Sequence, residues 1–147
     1  MKIDCAIKIE GFSIDQFAIR DHTYTPDLEN RFTTRITPNV SSEKDNIRHL
    51  VDITVETQAY RKGKVCELVV TSKFLLEFPM PYKLSNHYSA DFVVNIFSQL
   101  FLYANGQLAG VFAERSKDTL FADFVIQSRF QDSLSILTRN VIASTVH

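Results

Sequence analysis

The sequence predicts an α+β fold: a curled, antiparallel four-stranded sheet, then a long helix and a short C-terminal helix. Alternating apolar and polar residues dominate the first half of the chain, and apolar residues at helical spacing follow residue 90. Between these two regions lies a stretch with two prolines that suits neither a strand nor a helix. The length of 147 residues is typical of one domain, so residues 1–147 are expected to form a single domain.

The first predicted strand lies near the N terminus and contains a bulge. Its apolar residues are Ile3, Cys5, Ile7, Ile9, Phe12, Ile14, Phe17 and Ile19. The first four alternate with polar neighbours, which is typical of a half-buried strand. Gly11 then interrupts the alternation, and Phe12 and Ile14 resume it in shifted phase. One extra residue in a strand produces such a shift.

The second, third and fourth predicted strands come after a turn or loop that is predicted over Pro26–Asn30. A weak alternation over Phe32, Thr34 and Ile36 ends at Pro38. The strongest pattern is a long hairpin over Arg48–Phe78, whose two strands each place apolar residues on one face. These apolar residues are Val51, Ile53, Val55, Cys66, Leu68, Val70, Phe74, Leu76 and Phe78.

The two prolines after Phe78 predict a crossover loop to about Tyr88, because proline removes a donor from the strand ladder. Ser89 is the predicted N-cap of the long helix. Its apolar residues at helical spacing are Phe92, Ile96, Phe97, Leu100, Phe101 and Ala104. The same phase continues through two glycines to Val111. A short terminal helix is predicted over Phe130–Val141.

Charge and cysteine content exclude several classes of protein. Sixteen basic and seventeen acidic residues leave a net charge of −1, unlike a strongly charged nucleic-acid or membrane-surface binder. The sequence lacks an apolar run of membrane-spanning length and a secretory signal pattern. Cys5 and Cys66 are too few for a disulfide framework, so we expect reduced thiols and a cytoplasmic protein.

The sequence carries no catalytic or metal-binding motif. A nucleophile elbow, a phosphate loop, a dinucleotide motif and a zinc helix are all missing. Cys66 and His87 form a conceivable thiol–imidazole pair, but Cys66 lies on the apolar face of its predicted strand, where thiols are usually inert. We therefore expect no enzymatic activity, no cofactor and no metal.

An apolar surplus is the more informative feature. Phe78, Met80, Tyr82 and Tyr88 surround a loop that either exposes them to a partner or folds over the core. Between Leu84 and Ala113 the only charged residue is Asp91. Since an exposed helix normally carries charge on its outer face, the uncharged helix indicates a subunit interface.

The order of these elements resembles the SecB family of bacterial protein-export chaperones and its relatives. The resemblance spans about Ile7 to Leu137, and its main segments are Leu50–Thr57, Lys64–Val70, Lys73–Phe78, Asn95–Val111 and Phe130–Leu134. It implies a homotetramer, built as a dimer of dimers, with the long helices between protomers. Family members that dock the translocase motor do so through a strongly acidic surface, whereas this chain is nearly neutral. It therefore resembles more closely the divergent SecB-like proteins, some of which partner toxin–antitoxin systems.

The resemblance also implies an ATP-independent holdase that binds unfolded polypeptides in apolar grooves. The candidate groove residues are Phe74, Leu76, Phe78, Met80, Tyr82 and Tyr88. The candidate interface residues are Phe92, Ile96, Phe97, Leu100 and Phe101. The alternative is an adaptor of the same fold that binds one specific partner, such as an antitoxin, without general client activity.

Overall fold

The computed structural model describes residues 5–21, 31–61 and 64–117. Its elements are β1 (Ala6–Asp21), β2 (Arg31–Ser42), β3 (Arg48–Arg61), β4 (Lys64–Glu77), a 3-10 turn (Leu84–Asn86) and α1 (Asp91–Ser116). The predicted α+β fold, with four antiparallel strands followed by a long helix, is confirmed. The predicted terminal helix over Phe130–Val141 lies outside the described residues.

The four strands pair in the order β1-β4-β3-β2, and every pair is antiparallel. β2, β3 and β4 follow one another across the sheet, whereas β1 lies beside β4, which is a Greek-key order. The hairpin predicted over Arg48–Phe78 is confirmed, with Arg48 opposite Glu77 and Val55 opposite Val70. β1 and β2 are therefore the edge strands of this sheet.

β1 contains two irregularities that control which side chains share a face. Its register against β4 shifts between Ile9 and Gly11 and again between Ile14 and Gln16. Gly11 has a φ of 133°, a backbone conformation that favours glycine because it has no Cβ. The predicted bulge is thus confirmed. It places Phe12 on the same face as Ile9, although the two residues are three apart in the chain.

The hydrophobic core lies between α1 and one face of the sheet, here called the helix-side face. α1 packs on β3 and β4. It runs antiparallel to β4, since Phe92 near its start contacts Phe78, and Tyr103 further along contacts Phe74. The main core residues are Val51, Ile53, Val55, Leu68, Val70, Phe74, Leu76, Phe97, Leu100, Phe101, Leu108 and Phe112. Removing this apolar surface from water is the main force that holds helix and sheet together.

The limits of α1 differ in part from those predicted. The helix continues through Gly106 and Gly110, as its apolar phase predicts. The prediction of Ser89 as N-cap is wrong, because Ala90 occupies that position, and its side chain makes no capping hydrogen bond. The amide of Ala90 donates to the carbonyl oxygen of His87 at 2.9 Å. This hydrogen bond encloses Ser89 in a turn before the helix begins.

Two leucines on β3 and β4 test the assignment of the two sheet faces. Leu76 is fully buried on the helix-side face, whereas Leu50 on the other face is 48% exposed. Leu76→Ala should lower the free energy of unfolding by about 2–5 kcal/mol, because it leaves a cavity in the core. Leu50→Ala should lower it by about 1 kcal/mol or less. Urea unfolding measures both values, and equal losses would contradict the assignment.

Candidate functional site

The crossover loop, residues 78–90, is built around stacked aromatic rings. Tyr82 lies between Phe78 and His87, with ring centroids 4.7 and 4.5 Å away and nearly parallel planes. Phe92 meets the rings of Phe78 and Tyr82 edge-on at 6.4 and 6.3 Å. Offset and edge-on aromatic pairs stabilise beyond simple burial. These contacts give the loop a defined conformation.

Backbone hydrogen bonds fasten this loop to the β2–β3 turn. The amide of Phe78 donates to the carbonyl oxygen of Ile47 at 2.9 Å, and the amide of Tyr82 donates to that of Asn46 at 2.9 Å. Asn46 has a φ of 56°, a left-handed conformation that asparagine tolerates better than most residues. Two backbone hydrogen bonds thus join the crossover loop to the β2–β3 turn.

The predicted groove residues divide into two sets. Phe74, Leu76 and Phe78 are buried in the core. Met80 is 53% exposed, and Tyr82 and Tyr88 are half-buried. Burial raises the pKa of both Tyr82 and Tyr88 above the usual tyrosine value. The loop was predicted either to expose its apolar side chains to a partner or to fold over the core. It does both in part, because one set of its side chains covers the core and another set is exposed. The groove role of all six residues stays a prediction.

β1 carries an exposed apolar row that was not among the predicted site residues. It consists of Ile7, Ile9 and Phe12, here called the β1 row, which are 39%, 50% and 47% exposed. Their partners on β4 are Leu76, Phe74 and Ser72, all buried. Directly paired residues share a sheet face, so the β1 row lies on the helix-side face. The alternation in the sequence does predict that face, but it does not show that α1 leaves the row uncovered.

The predicted interface residues lie inside the core of a single chain. Ile96, Phe97, Leu100 and Phe101 are buried there, and Phe92 is half-buried. Their role between subunits stays a prediction. The exposed residues of α1 between its charged ends are a different set, here called the helix stripe: Asn95, Gln99, Leu102, Tyr103, Gly106, Gly110 and Ala113. The stripe contains no charged side chain, and a Cβ added at either glycine would have no heavy atom within 4 Å.

The opposite face of the sheet is polar. Arg35 pairs with Glu56 at 2.8 Å, and Arg48 pairs with Glu77 at 3.1 Å. A depression of about 490 Å³ is lined mainly by polar side chains, among them Gln16, Arg35, Glu56, Gln58 and Glu67. Exposed ion pairs of this kind contribute little to stability, and their charges of both signs do not form a single-sign surface. Apart from Leu50, the large apolar side chains that the described strands expose lie on the helix-side face.

The conceivable thiol–imidazole pair is not formed. Cys66 lies near the start of β4, whereas His87 stacks on Tyr82, which stacks on Phe78. Phe78 follows the end of β4 and lies about 40 Å from Cys66 along the strand at the usual rise per residue. Burial, followed by the charge of Glu67, raises the pKa of the Cys66 thiol to about 11, which keeps it protonated and unreactive.

The described ranges contain neither a cluster of metal ligands nor a helix that could span a membrane. Within residues 5–21, 31–61 and 64–117, no group of three or more His, Cys, Asp or Glu side chains is placed to hold a metal ion. In the same ranges, α1 is too polar to cross a membrane and no other helix is long enough. The candidate site that remains consists of the β1 row and the exposed apolar residues of the crossover loop.

The sequence matches no family model and no curated protein. Among solved structures, a SecB-like chaperone of Mycobacterium tuberculosis, in complex with a ChAD peptide from the HigA1 antitoxin, aligns with 83% of this chain and 90% of its own. That alignment has a TM-score of 0.50 and 9% sequence identity. A protein of unknown function from Streptococcus agalactiae covers 87% of this chain and 100% of its own, with a TM-score of 0.44 and 11% identity.

At 9% identity the likeness concerns architecture and not residue-level function. The shared architecture is a four-stranded antiparallel sheet followed by one long packed helix. The resemblance inferred from the sequence is confirmed at this level. The chain has the fold of a SecB-like chaperone.

Proposed function

We propose that this chain binds extended apolar segments of unfolded polypeptides without ATP, as a holdase-type chaperone. The observation that carries the proposal is the β1 row, three large apolar side chains left exposed on the face where α1 packs. Met80 and the half-buried Tyr82 add apolar surface from the crossover loop. Large apolar side chains grouped on an exposed strand are typical of binding sites in soluble proteins. Ile, Met and Phe bind many sequences because they need no specific polar partner.

The affinity of one such surface is expected to be weak. Burying a half-exposed Ile, Phe or Met side chain contributes about 1 kcal/mol, so the β1 row and Met80 together offer about 4 kcal/mol. Before the entropic cost of association is subtracted, that free energy corresponds to a dissociation constant of roughly 1 mM, so a single site binds more weakly than this. A long unfolded client gains affinity by contacting several surfaces at once. Holding a client therefore favours an assembly that presents several copies of the site.

A second candidate function is that of an adaptor for one specific partner. The Mycobacterium tuberculosis chaperone with this fold was solved with a peptide from an antitoxin. We propose a toxin–antitoxin partner as the alternative, in preference to a translocase motor, because the polar sheet face pairs charges of both signs. A specific adaptor should bind one partner segment tightly and ignore unrelated unfolded chains.

The proposal assigns no enzymatic step, cofactor or metal to the chain, and it places the protein in the bacterial cytoplasm. The raised pKa of the Cys66 thiol supports the absence of a cysteine-based enzymatic step, because a reactive cysteine needs an accessible thiolate. Replacing Cys66 with alanine should leave client binding unchanged.

Aggregation of a chemically unfolded client, followed by light scattering without ATP, tests the holdase directly. Suppression for several unrelated clients supports the holdase, and suppression for none leaves the adaptor.

A homotetramer in which α1 contributes to the interface is also part of the proposal. The helix stripe fits this role better than the buried face of α1, because it is exposed and uncharged from Asn95 to Ala113. Two exposed glycines one turn apart permit a second helix to approach closely, although each weakens an isolated helix by about 1 kcal/mol.

Polar substitutions in the β1 row test the binding site. Ile9→Ser and Phe12→Ser should each weaken binding of an unfolded client about fivefold, and the double variant about 30-fold, since each removes about 1 kcal/mol of apolar contact. A permanently unfolded, carboxymethylated protein serves as the client, and fluorescence anisotropy measures its dissociation constant.

The matched control for these variants is Leu50→Ser. Leu50 is as exposed as Phe12 but lies on the polar face of the sheet. Its substitution should change the dissociation constant less than about twofold. Equal weakening by all three single variants would sink the assignment of the site to the β1 row.

Bulky residues in the helix stripe test the assembly. The double variant Gly106→Gln and Gly110→Gln should stabilise the isolated helix by about 1 kcal/mol in total, because each glutamine recovers a little more than half of the propensity that glycine loses relative to alanine. It should nevertheless shift the protein from tetramers towards smaller species in sedimentation velocity. Tetramers that persist unchanged in this variant would show that the stripe does not face another subunit.

A further inference from the structure

A buried histidine lies beneath the crossover loop and belongs to none of the surfaces described so far. His49 is fully buried on the helix-side face of β3. One ring nitrogen, Nε2, lies 3.0 Å from the carbonyl oxygen of Asn46, and the other, Nδ1, lies 2.7 Å from the hydroxyl of Ser42. The ring also meets Phe78 edge-on, with centroids 5.4 Å apart and an interplanar angle of 85°. Both polar atoms of the ring are therefore engaged.

The chemistry of the two partners fixes the direction of these hydrogen bonds. A carbonyl oxygen only accepts, so Nε2–H of His49 donates to Asn46. In the neutral ring, Nδ1 is then the acceptor and takes the hydroxyl hydrogen of Ser42. Loss of either partner would leave a buried polar atom unsatisfied, which is costly. The ring is consequently held in one orientation between β2 and the β2–β3 turn.

The carbonyl oxygen of Asn46 joins this histidine to the candidate binding surface. It accepts from Nε2 of His49 at 3.0 Å and also from the amide of Tyr82 at 2.9 Å. A carbonyl oxygen has two lone pairs, and here both are used. Tyr82 is the central ring of the stack with Phe78 and His87. The position of that stack is thus tied, through one oxygen atom, to the orientation of His49.

We propose that His49 is a positioning residue for client binding: through the carbonyl of Asn46 it holds the crossover loop so that Met80 and Tyr82 present their apolar surface. This inference rests on the proposed function. His49 is fully buried and touches no client, so any effect of its substitution on affinity is transmitted by the loop. Fixing the loop beforehand reduces the conformational entropy lost when a client binds.

The test replaces His49 with phenylalanine, which retains a ring against Phe78 but removes both nitrogens. The exchange rate of the Tyr82 amide, measured by NMR, should rise about fivefold, the equivalent of one typical hydrogen bond. The dissociation constant for the carboxymethylated client should rise roughly threefold to tenfold, since only the loop half of the surface is disturbed. His49→Gln retains an amide donor and should restore part of both values.

Val55→Ala is the control for a general loss of stability. Val55 is also fully buried, on the same strand and the same face, but lies six residues from His49. This variant should destabilise the protein without changing the Tyr82 exchange rate relative to other loop amides, or the client affinity of the folded fraction. If His49→Phe does not fold, Ser42→Ala takes its place, because it removes only the hydrogen bond to Nδ1 and should shift both readouts in the same direction.

The outcomes separate this inference from the proposed function. A wild-type protein that binds no unfolded client overturns the proposed function. A wild-type protein that binds, together with unchanged affinity in His49→Phe, or in Ser42→Ala where the former does not fold, overturns the positioning role alone. Equal changes in Val55→Ala also overturn it, because they would show that general stability and not loop position controls binding.

Discussion

The packing of one helix on a four-stranded sheet is the constraint on which the rest of this structure depends. α1 packs on β3 and β4, and its buried residues Phe97, Leu100 and Phe101 form the helix's part of the core. A helix is about 10 Å across, whereas four strands at about 4.8 Å spacing span nearly twice that width. The helix-side face of β1 is left partly uncovered as a result, and its apolar residues become a surface.

The sequence predicts the parts of this arrangement that local patterns control. The β3–β4 hairpin, the bulge at Gly11 and the continuation of α1 through two glycines all follow from residue spacing and backbone preference. The exposure of Ile9 does not, because alternation predicts the face of a residue and not the width of the element that covers it. The same limit applies to Phe101, whose helical phase cannot tell a core within the chain from an interface between chains.

The crossover loop combines rigidity with apolar exposure. Its buried anchor consists of Phe78, His49 and the carbonyl of Asn46, and its exposed side includes Met80. A flexible apolar loop would lose conformational entropy on binding and would itself be prone to aggregation. An ordered loop avoids both costs, and under the proposed function the unbranched Met80 would adapt to different clients. In this account, the polar network beneath the loop is as much a part of the binding site as the surface above it.

The central claim, that the helix-side face of β1 binds apolar polypeptide, is tested most directly by NMR of labelled methyl groups during titration with an unfolded client. The account predicts that the methyl signals of Ile7, Ile9 and Met80 shift or broaden together, while those of Leu50 on the polar face stay unchanged. Client binding that moves the Leu50 signals and leaves Ile7 and Ile9 unmoved would contradict it.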